Sequence, residues 1–202
     1  MSFRDIFLLS DPWRKKRPNR RNSAMLNSLA KPTPWHRPAL IMAGLAWLAR
    51  AVIALYGPDY WSPRTPLDYA AVVGTSVALV LMAVGLWGFY QHHSAPPSRA
   101  QTVWRIGVAV VCISALTVSI SNFIEDALGV KALGGVWVIG ILALPAGLLI
   151  AGISAFWVKD FSRWVGIFFL VCAVGLLFTE WNGLFGLGLA LLALAVLKGT
   201  RS

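Results

Sequence analysis

Six apolar runs, separated by connections of twelve residues or fewer, constrain this chain more than any other feature. They span Pro38–Tyr56, Tyr69–Tyr90, Val103–Asn122, Ala132–Val158, Trp164–Phe178 and Trp181–Leu197. A helix that crosses a bilayer needs roughly 17–25 apolar residues at about 1.5 Å rise each. The first four runs meet that length, while the last two sit at or below its lower limit and suit upright crossing, local thinning or a re-entrant hairpin. Such short connections place successive helices side by side and antiparallel. The expected fold is therefore an all-α integral membrane protein, a six-transmembrane-helix bundle of sequential antiparallel hairpins. Three segments follow: a basic tail over 1–37, a transmembrane domain over 38–198, and a short tail over 199–202.

Composition agrees, since the chain is 57% hydrophobic and only 13% charged, about half the charge of an ordinary soluble domain. Local features set the run boundaries. Pro38 suits the first position (N1) of a helix, Asp68 suits an N-cap, and Pro145 within the fourth run predicts a kink. Trp61, Trp87, Trp104, Trp157, Trp164 and Trp181 flank the runs as an aromatic belt does, whereas Trp47 and Trp137 fall deeper.

Charge supplies the orientation. With the N-terminus inside, fifteen lysines and arginines fall on the inner side and two, Arg64 and Lys131, on the outer side, with Arg50 inside the first run. This asymmetry predicts cytoplasmic N- and C-termini in a cell membrane, such as a bacterial plasma membrane. The tail residues Arg14, Lys15, Lys16, Arg17, Arg20 and Arg21 form a polybasic segment. Beside membrane spans it suits anionic lipid headgroups rather than nucleic acid. Upstream, Phe3, Ile6 and Phe7 have the spacing of one helix face, so the tail is either a short interfacial helix or disordered.

Few residues carry possible chemistry. Ser114, Thr117, Ser121 and Glu125 share one face of the third run, with Asn122 and Asp126 beside it. In hydrocarbon these groups must face protein or water, as an interhelical network or as the wall of a hydrated pathway. Arg50, as an intramembrane charge, either snorkels outward, pairs with Asp59, Glu125 or Glu180, or binds an anion. Gly140, Ala143, Gly147 and Ala151 form a small-residue stripe on the fourth run, and Gly186, Ala190 and Ala193 form another on the sixth. Such stripes pack helices within a chain, against a second copy, or against a partner subunit. His92 and His93, as helix neighbours, point apart and make a poor ligand pair. Cys112 and Cys172 lie within apolar runs as packing residues.

Walker, HExxH and GxSxG motifs are lacking, as are carboxylates in the middle of any run. That pattern predicts no enzyme, cofactor or metal centre and argues against ion-coupled transport. The leading expectation is an accessory, assembly or regulatory membrane subunit acting through helix packing and the basic tail. The alternative is a passive small-solute channel or facilitator with a polar pathway along the third helix.

Overall fold

A computed structural model describes residues 35–59, 63–93, 98–130, 133–159, 161–178 and 181–197 of this chain. The polybasic segment, Trp61, Lys131 and Glu180 lie outside the described residues. Six α-helices and no strand are present among the described residues. They are α1 His36–Ala54, α2 Pro66–His92, α3 Arg99–Asn122, α4 Gly134–Ala155, α5 Arg163–Leu177 and α6 Trp181–Val196.

Four of these, α1 to α4, are long and apolar enough to cross a membrane. The helices α5 and α6 have 15 and 16 residues, roughly 22–24 Å at standard rise, short of a typical 30 Å hydrocarbon core. The outward faces of the long helices are apolar too: Ile139, Leu142 and Ile113 are 70, 67 and 66% exposed. A water-soluble bundle would place polar groups there, so the architecture is consistent with a helical membrane bundle.

Local sequence explains the helix ends. The α2 N-cap is Thr65 rather than Asp68. Thr65 accepts from the Asp68 backbone N–H, and the Asp68 carboxylate accepts from the N–H groups of Asp59, Arg64 and Thr65. Asp68 thus closes a capping box three residues into the helix and ties the preceding loop to it. At α1 the helix starts at His36, so Pro38 falls at the third helical position, where its missing N–H is still no loss. Beyond α3 a π-helical turn, Phe123–Ala127, extends the wall by five residues. Glu125 and Asp126, expected in a loop, therefore stay on a helix.

The six helices close into a ring. Each packs against its neighbours in sequence, and α1 closes the circle against α6. Glycines set the close approaches and reveal the antiparallel register. A Cβ at Gly107 near the start of α3 would lie 2.7 Å from the Ala151 backbone N near the end of α4. One at Gly44 would lie 2.8 Å from the Gly188 carbonyl, and one at Gly166 would lie 2.8 Å from the Gly152 carbonyl. Without side chains at these points the backbones can approach to contact distance.

The two ends of the ring differ in charge and in filling. One end carries His36, Arg37, His93, Arg99, Arg105, Lys159 and Arg163; the other carries Asp59, Arg64, Asp68, Glu125 and Asp126. At the basic end, Phe89, Trp104, Phe161 and Phe169 are fully buried and plug the ring, with Trp104 and Phe161 edge to face at 4.8 Å. Trp104, expected in the aromatic belt, instead points into this plug, because its position on α3 faces Phe89. Trp87, Trp157 and Trp164 are exposed, as the belt expectation requires.

Candidate functional site

The acidic end is hollow. A cavity of about 600 Å³ occupies it, and every helix of the ring contributes to its wall. Arg50 comes from α1, Thr75 from α2, Asp126 from the π turn after α3, Trp137 from α4, Leu176 from α5 and Leu184 from α6. Its floor is apolar, with Trp47, Leu79, Val118 and Leu144. Leu144 lies ten residues into α4, roughly 15 Å from that end of the helix. Below the floor the aromatic plug fills the ring, so the cavity is a one-ended vestibule and not a through-pore.

Arg50 is the central feature of the wall and is only 6% exposed. Its Nε donates to the Thr75 hydroxyl at 2.7 Å, and that hydroxyl donates onward to the Ala71 carbonyl at 2.8 Å. The back-bond commits the threonine proton to the helix, so a lone pair is left for Arg50. Thr75 thereby helps to fix the rotamer of Arg50 and to hold its charge in the protein interior. Of the partners expected for Arg50, Glu180 lies outside the described residues; Glu125 shares the vestibule wall with it. One turn before Arg50, Trp47 is 3% exposed and its indole N–H has no acceptor. A buried donor left without a partner is costly, which makes it a marker for a missing acceptor.

The rim of the vestibule is stapled from α3 to α4. The Asn122 Oδ1 accepts from the Trp137 indole N–H, and the Glu125 carboxylate accepts from the Leu133 backbone N–H at the start of α4. These bonds hold the π turn against α4 and keep Glu125 and Asp126 at the mouth.

Four of the residues marked as a polar pathway therefore meet in one wall: Arg50, Asn122, Glu125 and Asp126. The other three do not line the vestibule. Ser114 and Ser121 are buried, and Thr117 faces Gly140 of α4, its methyl 3.5 Å from where a Cβ would stand. The polar stripe of α3 thus divides: its lower part packs on α4 and its upper part opens into the cavity. The small-residue stripe of α4 is used inside the ring. Gly140 meets Val118, Gly147 meets the Gly107 carbonyl, Ala151 is fully buried, and Ala143 is half-buried. On α6 the close contacts fall at Gly183 and Gly188. Ala190 is buried and Ala193 half-buried, while Gly186 has nothing within 4 Å of a Cβ position.

Thr75, Ser76 and Ser119 were not singled out from the sequence. Ser119 donates across to the Ser76 carbonyl at 2.9 Å, joining α2 to α3. Their signal was available: hydroxyls inside an apolar run at the depth of Arg50 are natural partners for it or for a facing backbone.

At the basic end the fold gathers all three histidines of the chain. The His36 ring lies 4.8 Å from that of His92 and 5.9 Å from that of His93, and the His92 and His93 rings are 4.9 Å apart. The His93 Nδ1 donates to the Phe89 carbonyl at 2.9 Å, which fixes its tautomer. Burial, opposed by that bond, and the nearby His92 and Arg37 hold the His93 pKa below the ordinary 6.5. Among the described residues no group of three or more His, Cys, Asp or Glu is arranged to hold a metal ion. Cys112 and Cys172 are buried free thiols, and Cys112 donates weakly to the Ala83 carbonyl at 3.4 Å.

These features define a helical bundle consistent with a multipass membrane protein and carrying a polar vestibule at one end. No protein-family model, curated protein or solved structure matches the chain.

Proposed function

We propose that this is a non-enzymatic multipass protein of the cell membrane that admits a small solute into its vestibule from the outer side, as a passive facilitator does. The observation that carries the reading is the cavity itself: about 600 Å³, walled by all six helices, with a buried arginine in an otherwise largely apolar lining. Pockets of about 300–1,000 Å³ with apolar walls and a few convergent polar groups are typical small-molecule sites. Orientation follows from charge. The vestibule opens at the acidic end, which the positive-inside rule assigns to the outside, leaving both termini and the basic tail against anionic cytoplasmic lipid. In this arrangement the aromatic plug is the closed inner gate, and transfer requires it to part.

Flux into liposomes tests the reading. Leu144→Trp fills the vestibule floor and abolishes uptake of a permeant solute, whereas Ile113→Trp, on an outward face that is 66% exposed, leaves it unchanged. Equal behaviour of the two variants across a panel of small solutes would remove the facilitator reading.

An accessory-subunit role keeps one specific observation in its favour. Gly74 and Gly186 have no atom within 4 Å of a Cβ position, so a helix of a second copy or of a partner membrane subunit could approach their backbones. Gly186→Leu would then reduce the particle mass in mild detergent; an unchanged mass would dismiss that role.

A further inference from the structure

We propose that the vestibule takes a single-chain amphiphile, an apolar tail with one small polar head, sideways from the outer leaflet through a notch in the ring above α5 and α6. The inference rests on the vestibule reading above and adds the route of entry and the class of ligand.

The notch follows from helix register. Gly152 of α4 and Gly166 of α5 meet at one level, since a Cβ on either would lie 3.1 and 2.8 Å, respectively, from the carbonyl of the other. Eleven residues further toward the acidic end α5 stops at Leu177, level with Ile141, whereas α4 continues for seven residues to Gly134, roughly 10 Å. On the other flank Gly44 of α1 and Gly188 of α6 meet in the same way. The first residue of α6, Trp181, is therefore level with Ala51, and α1 runs on to Ala54. The connection between α5 and α6 is three residues, 178–180, too short to rise to the top of α4 and return. Exposure on α4 agrees. Gly134, Val138 and Ile141 have the spacing of the face that Gly152 presents to α5 lower down, and all three line the vestibule. With no helix opposite them at this height, Val138 is 47% exposed and Ile141 is half-buried.

The two sides of the mouth differ in chemistry. Asn122, Glu125 and Asp126 stand on the α3 side, while Val138, Ile141 and Leu176 stand on the notch side. Val136 and Ile139, on the same stretch of α4, are exposed and apolar, so in a bilayer the notch opens at hydrocarbon depth. Helices as short as α5 and α6 also thin the bilayer beside them. Water meets the polar side and lipid chains meet the apolar side, a division that a molecule with a polar head and an apolar tail bridges. Burial of the tail against the apolar wall drives binding. A cavity of about 600 Å³ is in the small-molecule range, which suits one tail rather than a whole two-chain lipid.

A long-chain alkanol carrying a photoreactive diazirine at the end of its tail tests this in vesicles that hold the full chain. Irradiation is expected to place adducts on Ile141 and Leu176, besides those on outward residues such as Ile113 that any surrounding lipid would label. Val138→Trp narrows the notch and is expected to lower the yield at Ile141 and Leu176 at least about tenfold, the effect of denying burial to about two methylenes. Ile139→Trp, one residue along and 70% exposed, is expected to leave that yield unchanged. Adducts confined to outward residues overturn the proposal, and so do equal yields at Ile141 and Leu176 in the two variants. The map of the unaltered chain decides the matter alone if Val138→Trp fails to fold. A solute flux that is lost in Leu144→Trp, in a chain with no adduct at Ile141 or Leu176, would overturn the ligand class while leaving the vestibule reading intact. Identical flux in Leu144→Trp and Ile113→Trp would overturn that reading itself.

Discussion

Arg50 and Thr75 show how one charge can be kept inside an apolar ring. Interhelical hydrogen bonds in membrane proteins average roughly 0.6 kcal/mol, but bonds to a charged group reach about 1.5–3 kcal/mol. Thr75→Val should therefore cost about 1–2 kcal/mol, read as a lower melting temperature in detergent. Arg50→Ala should lower the melting temperature more than Arg64→Ala, because Arg64 stands in the exposed loop before α2; equal shifts would contradict the buried role of Arg50. The position of Arg50 inside an apolar run was legible in the sequence, but its bond to Thr75 was not, since Thr75 is 25 residues away on another helix. Histidines give a second prediction at this scale. His93 is held neutral in the fold, so unfolded chains bind its proton more readily. Stability contributed in this way is complete above the ordinary pKa of 6.5 and declines as pH falls through it toward the lower folded value. The melting temperature should drop between pH 7 and pH 5.5, and the drop should shrink in His93→Gln; a profile unchanged by that substitution would contradict it.

Single helices were the most legible level. Apolar runs long enough to cross a bilayer locate α1 to α4 within a few residues of their ends, because lipid demands uninterrupted apolar sequence. Differences arose where side chains act on the backbone locally. Asp68 caps α2 from inside the helix rather than from its N-cap position, and the π turn after Asn122 carries two acids on a wall instead of in a loop. Neither has a hydropathy signature. Thr65→Ala should destabilise α2 by about 1 kcal/mol through loss of the cap. Glycines give the sharpest contrast between elements. Gly107→Ala places a methyl group 2.7 Å from backbone that cannot yield, and overpacking of that kind costs about 1–3 kcal/mol. Gly74→Ala meets nothing within 4 Å and should be neutral or stabilising by up to about 1 kcal/mol from helix propensity. Denaturation of both variants in the same detergent reads the difference, and equal destabilisation would refute the assigned packing.

For the whole molecule, the governing feature is closure of the ring by α1 against α6. Hydropathy could not reveal it, because α1 and α6 are apolar over most of their surface and the shape of facing residues, such as Gly44 against Gly188, brings them together. Closure leaves a ring whose basic end is filled by aromatics and whose acidic end is hollow. The separation of charge between the two ends was plain in the sequence, while the cavity and its walls came only with the arrangement of helices. The proposed function requires the hollow end to be open to water on the outer face of the membrane and the filled end to be sealed. Single cysteines at Ile141, a half-buried residue of the vestibule wall, and at Val108, in the buried core of α3, test it directly in right-side-out vesicles treated with a membrane-impermeant thiol reagent. Labelling at position 141 with none at position 108 is the predicted result. Protection of position 141, or its labelling only in inverted vesicles, would contradict that arrangement.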